Sequence, residues 1–209
     1  MTVTLSEIQH DALVEIFNIS IGRAAAAMSN IVNQEITLAT PSFRFMTVRE
    51  AAEELGSGEG KGEGSRICGV TQTYKGTFDA EAILMFPEEK SLEIVRMMVG
   101  ESFPLNALSD LEQDAMSEIG NIILNACIGT IANIVGGKFT STLPTFRLGT
   151  SREILHADEK GADDFVLFIF IDFIMKKSEI QGYVAFLMSV PSIDGLLQSV
   201  DRFIGKIPQ

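Results

Sequence analysis

The sequence predicts an α+β fold with pseudo-twofold symmetry, in which two repeats of a long helix, three antiparallel strands and a closing helix pack as helices on a sheet. A polar motif that occurs twice is the first reason: Asp11, Glu15, Asn18 and Pro41 recur, each 103 residues later, as Asp114, Glu118, Asn121 and Pro144. The second reason is that residues 5–44 align with residues 108–147 without a gap, and many other positions match. A repeat this long is not a solenoid unit and indicates two fused halves. We expect one domain over residues 1–209, with repeats at about 5–100 and 108–205.

Each half is predicted to begin with a long helix. Ser6 with Gln9, and Ser109 with Glu112, have the spacing of capping boxes, in which the serine accepts a hydrogen bond from a free backbone N–H and the residue three positions later reaches back. Both helices are therefore expected to start at equivalent points.

The repeated polar residues fall on one face of each predicted helix. At about 100° per residue, Asp11, Glu15 and Asn18 share a narrow stripe that we expect to face away from the core. The opposite face carries Leu13, Phe17 and Ala24 in the first helix, and Met116, Ile123 and Cys127 in the second. The second stripe consists of Asp114, Glu118, Asn121 and Asn125.

Alternating and apolar segments predict three strands in each half. The strands are expected at residues 42–47, 67–74 and 77–86, and at 145–150, 166–174 and 182–190. Pro41 and Pro144 precede the first strand of each half, where a missing N–H costs little. Residues 87–100 and 191–205 begin with proline and end with glycine, as helices do. An extra helix is expected at 47–55, and 151–164 is expected to be a surface loop.

Composition and charge exclude several classes of function. The formal net charge of -12 disfavours a nucleic-acid partner, because phosphate binding needs a basic surface. The start of the chain resembles no secretory signal, and the apolar run 165–175 is too short to cross a bilayer as a helix. Cys68 and Cys127 lie in dissimilar contexts, which favours free thiols in a reducing compartment. We therefore expect a cytoplasmic protein that does not insert into a membrane.

Other catalytic motifs are weakly supported. The glycine-rich segment 56–65 lacks the GK[ST] box of a phosphate-binding loop and carries two glutamates, so it is interpreted as a loop. His10 and His156 are the only histidines and do not form a metal motif. There is no GxSxG. The repeated Glu and Asn residues are therefore the candidates for chemistry.

The pattern Asp-x-x-x-Glu-x-x-Asn, followed by 22 residues and a proline, resembles the signature of the CheC family of chemotaxis phosphatases, which includes CheX and FliY. Here it reads DALVEIFN with Pro41 and DAMSEIGN with Pro144. Both copies match at all four positions. The resemblance implies a CheC-like fold and an enzyme that hydrolyses the aspartyl phosphate of a chemotaxis response regulator, a CheY-type receiver domain.

The resemblance also implies a role for each motif residue. Asn18 and Asn121 would orient the attacking water, since a carboxamide can accept a hydrogen bond from it, and hydrolysis of an acyl phosphate needs positioning more than covalent help. Glu15 and Glu118 would pair with the active-site lysine of the receiver. Asp11 and Asp114 would help orientation or docking, and Pro41 and Pro144 would shape the backbone. No cofactor of its own is implied, since Mg²⁺ is held by the phosphorylated receiver.

Two further possibilities remain open from the sequence. The receptor deamidase CheD is a second candidate partner implied by the resemblance. A non-catalytic scaffold that binds the receiver, like the middle domain of the flagellar switch protein FliM, is the alternative function. Such a scaffold is expected to have lost Glu and Asn from one or both repeats, whereas this chain keeps both pairs.

Overall fold

The fold was determined as a computed structural model that describes residues 3–32, 35–39, 42–56, 66–99, 110–159, 165–175 and 178–205. The described residues form six helices and eight strands. In chain order these are α1 (Glu7–Val32), β1 (Ile36–Ala39), β2 (Phe43–Thr47), α2 (Val48–Gly56), β3 (Ile67–Gly76), β4 (Ala80–Pro87), α3 (Glu88–Val99), α4 (Asp110–Val135), β5 (Phe139–Ser141), β6 (Thr145–Gly149), α5 (Ser151–Ile154), β7 (Phe165–Met175), β8 (Ser178–Met188) and α6 (Val190–Ile204).

The strands form one antiparallel sheet in which the two halves exchange their first strands. The central order is β7-β8-β4-β3, and β8 joins β4 across the pseudo-twofold axis. Strands β1 and β2 of the first half both pair with β7 of the second half. Strands β5 and β6 of the second half both pair with β3 of the first half. Each half therefore completes the sheet of the other, which confirms the predicted α+β class with helices on a sheet.

Side-chain alternation along the strands separates two cores. On β7, Leu167, Ile169 and Ile171 belong to the core beneath the long helices α1 and α4 and the closing helices. Val166 and Phe168, which alternate with them along the strand, belong to the core beneath the short helices α2 and α5. Because successive strand residues point to opposite faces, α1 and α4 cover one face of the sheet and α2 and α5 cover the other.

The long helices have the boundaries and buried faces that the sequence predicts. In the Ser6–Gln9 capping box, the Gln9 N–H donates to Ser6 Oγ at 3.2 Å and the Ser6 N–H to Gln9 Oε1 at 3.0 Å. The second predicted box includes Ser109, which lies outside the described residues. Helix α4 ends before Gly136, whose φ of 68° is readily adopted by glycine. The predicted core residues are all buried: Leu13, Phe17, Ala24, Met116, Ile123 and Cys127.

The short helices contain a second repeated cap that the sequence analysis did not identify. The Thr47 N–H donates to Glu50 Oε2 at 2.7 Å, and the Thr150 N–H donates to Glu153 Oε2 at 2.8 Å, at equivalent positions of the two halves. The backbone hydrogen bonds lower the pKa of both carboxyl groups, with the threonine hydroxyls adding to the effect. The contribution of these caps to stability is thus present above the unfolded-state pKa and is lost as the pH falls through the folded pKa.

Several predicted boundaries are wrong. Each half has four strands, since β1 and β5 lie in stretches interpreted as connections; both are short edge strands, and β5 has no buried residue. Residues 151–164 do not form only a loop, because Thr150 caps α5 and Ser151 and Ile154 are buried. Residues 77–79 precede β4 and are not part of it, and β8 begins before residue 182. Pro87 ends β4 and is not part of α3.

The remaining predictions of elements have mixed outcomes. The extra helix at 47–55 is confirmed as α2, and α6 has proline in its first turn and ends at Gly205. Most of the glycine-rich segment 56–65, as well as Gly100, lies outside the described residues. Cys68 and Cys127 are free, as predicted; both are also buried, and burial raises the pKa of each thiol to about 12.

Helices α1 and α4 also have the length and apolar composition of membrane spans. The matching segments are Glu7–Ile31 and Asp110–Ile134, in which 44% and 50% of the most apolar window is buried inside the protein. The core helices of soluble proteins meet the same criteria. Because the apolar faces of both helices pack on the sheet, their composition is explained by the core.

Candidate functional site

The first motif lies on the outer face of α1. Asp11, Glu15 and Asn18 are all exposed, while Ile16 and Phe17 between them are 1% exposed. Within the described part of the chain, the side chains of Glu15 and Asn18 make no hydrogen bond or ion pair, and the Asp11 carboxylate lies 3.6 Å from His10 Nδ1. The α1 site therefore presents a free carboxylate and a free carboxamide to solvent.

The second motif lies at the equivalent place on α4, but its asparagine has a different environment. Asp114 and Glu118 are exposed, and their side chains have no hydrogen-bonding or ionic partner among the described residues. Asn121 is half-buried, contrary to the prediction that the whole stripe faces away from the core. The environment differs because the Asn121 side chain accepts a hydrogen bond from Gln72 of β3, the strand beneath the helix.

A hydrogen-bond network holds the Asn121 side chain. Its Oδ1 accepts from Gln72 Nε2 at 3.1 Å and from Asn125 Nδ2 at 2.7 Å. Gln72 Nε2 also donates to the backbone carbonyl of Thr142 at 3.0 Å. The Tyr74 hydroxyl lies 2.9 Å from Gln72 Oε1 and 3.1 Å from Asn125 Oδ1, and its single proton is donated to one of these two oxygens at a time. Both lone pairs of the Asn121 oxygen are therefore occupied.

The orientation of every amide in this network follows from one unambiguous acceptor. The Thr142 carbonyl can only accept, so the Gln72 atom facing it is nitrogen. The same nitrogen faces Asn121, which must present its oxygen, and Asn125 must then present its nitrogen to that oxygen. Burial raises the pKa of Tyr74, so its hydroxyl keeps its proton and donates. Among the described residues, the end of the Asn121 carboxamide that has no hydrogen-bond partner is thus its NH₂ group.

Among the described residues, no equivalent network surrounds Asn18. The strand registers, with Val70 opposite Phe146 and Ile169 opposite Phe43, make Gln72 equivalent to Ile171. The same registers make Tyr74 equivalent to Phe173, and Asn125 is replaced by Gly22. The three polar residues of the Asn121 network thus have no hydrogen-bonding side chain at the corresponding positions around Asn18.

The size of the residue before each motif asparagine determines how closely the helix can approach the strand beneath it. Gly120 lies against Val70 of β3, and a Cβ at this position would be 2.3 Å from Val70 Cγ1. At the equivalent position of α1, Phe17 is buried and packs edge-on against Phe43, with ring centroids 5.2 Å apart. Gly120 therefore allows α4 to lie close enough to β3 for Gln72 to reach Asn121.

Gly120→Ala is expected to lower the free energy of unfolding by about 1–3 kcal/mol, since the added methyl overlaps a branched side chain in a packed core. Gly129→Ala, on the same helix with no atom within 4 Å of the new Cβ, is the matched control. That control is expected to raise the free energy of unfolding by up to about 1 kcal/mol, because alanine favours helix. Urea unfolding curves measure both changes, and equal stability of the two variants would contradict the close packing.

Of the two motif prolines, only Pro144 lies among the described residues. Pro41 lies outside the described residues. Pro144 is half-buried and directly precedes β6, as predicted. Thr142, two residues earlier, is fixed to β3, since its N–H donates to the Thr73 carbonyl at 3.0 Å and its Oγ1 accepts from the Thr73 N–H at 3.1 Å. The Pro144 segment therefore supplies the carbonyl that orients Gln72, which in turn contacts Asn121.

Neither stripe has the composition of a metal site. Among the described residues, no group of three or more His, Cys, Asp or Glu side chains is arranged to hold a metal ion. What each stripe offers is an exposed carboxylate for a cation and a carboxamide one helical turn away.

Sequence reasoning missed the strand residues that contact the second site. Gln72, Tyr74 and Thr142 carry no motif, and β3 was interpreted only as a strand. Gln72 could have been noticed as a carboxamide on the face of β3 that otherwise carries Cys68 and Val70, both in the core. Its contact with Asn121 could not have been inferred, because it depends on which strand lies beneath α4.

Two exposed apolar residues beside the motifs were also missed. Ile8 is 63% exposed and Leu111 is 50% exposed, and they occupy equivalent positions in the two halves. Each lies three residues before the motif aspartate, on the same side of its helix. The offset between the repeats could have identified this pair. Together they give each site an apolar end.

Two family models match separate parts of the chain. The model described as "Chemotaxis phosphatase CheX" matches residues 68–169, and the model described as "CheC-like family" matches residues 8–44. The chain is 23% identical over 149 residues to the CheY-P phosphatase CheC of Bacillus subtilis, covering 69% of this chain and 68% of CheC. It is 23% identical over 183 residues to the flagellar motor switch phosphatase FliY of the same organism, covering 84% of this chain but 44% of FliY.

Solved structures share the fold. The crystal structure of Thermotoga maritima FliY superimposes with a TM-score of 0.77 at 14% identity, covering 96% of this chain and all of that one. FliM in its complex with SpeE from H. pylori superimposes with a TM-score of 0.73 at 13% identity, covering 98% of this chain and all of that one. At these identities the matches show the fold alone, which the FliY and FliM structures share.

Proposed function

Because this chain belongs to the CheC/CheX/FliY family of chemotaxis phosphatases, we propose that it hydrolyses the aspartyl phosphate of a CheY-type receiver domain. The observation that carries the proposal is the exposed Glu and Asn pair, present on both long helices at equivalent positions. In a FliM-like scaffold neither pair would be needed. Glu15 and Glu118 have no partner among the described residues, so each is available to a cation of another protein.

The chemistry requires little of the protein beyond placement. The oxygen of water forms a bond to phosphorus as the bond from phosphorus to the aspartyl oxygen breaks, and both water protons leave on dihydrogen phosphate. Positioning the water in line with the breaking bond is the main requirement, since phosphoryl transfer depends on alignment and electrostatics. In this proposal an asparagine oxygen accepts a hydrogen bond from the water. The glutamate pairs with the receiver lysine, and any Mg²⁺ is the receiver's.

Ile8 and Leu111 support the docking of a protein partner beside the motif. An exposed large apolar side chain next to an acidic stripe offers a contact that excludes water around an ion pair. In this proposal the receiver contacts both the exposed apolar residue and the motif glutamate of a site. An interaction with CheD and a cytoplasmic location stay predictions.

The direct test is release of inorganic phosphate from a panel of phosphorylated receivers, with and without this protein. A large molar excess of phosphorylated receiver over this protein distinguishes enzymatic turnover from stoichiometric binding. Acceleration with multiple turnovers supports the phosphatase. Binding of the phosphorylated receiver without acceleration would overturn it and support the FliM-type scaffold, whose fold this chain shares.

Ile8→Ser combined with Leu111→Ser is expected to raise the KM for the phosphorylated receiver by about tenfold or more, since an apolar side chain that becomes buried contributes about 1.5–3 kcal/mol to the contact at each site. The kcat is expected to change little, because neither side chain reaches the phosphoryl group. Ile31→Ser, at the far end of α1 and 45% exposed, is the control and should leave the KM unchanged. A double variant with the wild-type KM would exclude the apolar contact.

A further inference from the structure

The two motif sites differ in the atom that their asparagine presents to a partner. Resting on the phosphatase function proposed above, we infer that hydrolysis takes place at the α1 site, and that the α4 site binds the receiver with little turnover. The network of Gln72, Asn125 and Tyr74 around Asn121 carries this inference.

Orienting an attacking water needs a hydrogen-bond acceptor. Water attacks phosphorus through a lone pair, so a side chain that directs it must accept one of its protons. Asn121 cannot do so, because its oxygen already accepts from Gln72 and from Asn125. Its NH₂ group can only donate to the water oxygen, which occupies one of the two lone pairs and makes the water a poorer nucleophile. The same NH₂ can donate to a phosphoryl oxygen, and the Glu118 carboxylate is exposed, so the α4 site keeps the means to bind a receiver.

Releasing the Asn121 oxygen would be unfavourable. Gln72 is 1% exposed, so its N–H would have no water to replace Asn121. The other proton on the same nitrogen is bonded to the Thr142 carbonyl, which holds the amide in place. Asn125 would also lose its 2.7 Å bond. The network thus keeps Asn121 in the orientation that exposes only a donor.

The α1 site lacks each of these restraints. Asn18 has no hydrogen-bonding partner among the described residues, and Ile171 and Gly22 stand where Gln72 and Asn125 would be needed. Its carboxamide is free to turn its oxygen towards a water. The sequence motif is identical in the two halves, so this difference is set by residues of the strand and of the next helical turn.

The test compares Asn18→Ala with Asn121→Ala in steady-state phosphate release from a phosphorylated receiver. Asn18→Ala is expected to lower kcat at least tenfold more than Asn121→Ala, whose main effect is a higher KM. An equal or larger loss of kcat in Asn121→Ala would overturn the inference. If the wild-type protein accelerates no receiver at all, the proposed function fails instead, so the two failures are distinguishable.

A gain of activity tests the network itself. In the Asn18→Ala background, Gln72→Leu with Asn125→Ala removes both donors to the Asn121 oxygen and is expected to raise kcat at least threefold. Asn125→Ala alone removes the exposed donor without altering the sheet, and is expected to give part of that gain if Gln72→Leu unfolds. Thermal unfolding checks each variant. No gain in any folded variant would show that the network does not restrain the α4 site.

Discussion

Replacing Asn18 and Asn121 together by alanine is expected to lower the rate of phosphate release by about 10²–10³, the effect of losing one well-placed polar group at a reacting centre. Asn18 is exposed and Asn121 half-buried, and neither belongs to a core. The fold should survive, although Gln72 loses one acceptor. Circular dichroism and single-turnover phosphate release from a phosphorylated receiver measure the two properties separately.

The chain provides a matched control for this variant. Asn30 and Asn133 are a second repeated pair of asparagines on the same two helices, and both are exposed. Asn30→Ala with Asn133→Ala makes the same chemical change at equivalent positions of both halves, away from the motif. It should keep the wild-type rate. If the motif variant and this control hydrolyse the receiver phosphate equally fast, the asparagines do not position the water.

The internal repeat made most of the fold predictable. Periodicity placed the buried residues of α1 and α4, and the same offset aligned the two motifs. The exchange of strands was not predictable, since pairing β1 and β2 with β7 instead of β3 depends on how the halves pack and leaves no local pattern. β5 was missed for a different reason: it has three residues, none buried, at an edge of the sheet.

The sequence predicted which residues share the exposed stripe, but not which residues surround the two asparagines. Helical spacing brings Asp11, Glu15 and Asn18 to one face without any knowledge of the tertiary structure. The partners of Asn121 are Gln72, on a strand 49 positions earlier in the sequence, and Asn125, on the same helix. The Thr142 carbonyl before β6 bonds to Gln72 and orients it. The substitution of Phe17 by Gly120 was visible in the repeat, and it marks the place where the two sites diverge.

Reversing the charge of Glu15 and Glu118 is expected to weaken binding of the phosphorylated receiver by about 10²-fold or more. The reason is that leaving one member of a desolvated charge pair unpaired costs about 2–5 kcal/mol, and a lysine in its place adds repulsion. Glu15→Lys with Glu118→Lys tests this directly. Glu15→Gln with Glu118→Gln removes the charge alone and should have a smaller effect. Fluorescence anisotropy of a labelled receiver, activated with beryllofluoride, measures the affinity.

The salt dependence separates a specific pair from a general effect of the acidic surface. Glu53→Lys with Glu89→Lys changes the net charge equally at exposed positions on α2 and α3. If the receiver lysine pairs with Glu15 or Glu118, this control should weaken binding only slightly, and less at high salt, where distant charges are screened. The motif variant should stay weak at high salt, because the contact itself is lost. Equal weakening in both variants, abolished by salt, would mean that the glutamates act only through the overall charge of -12.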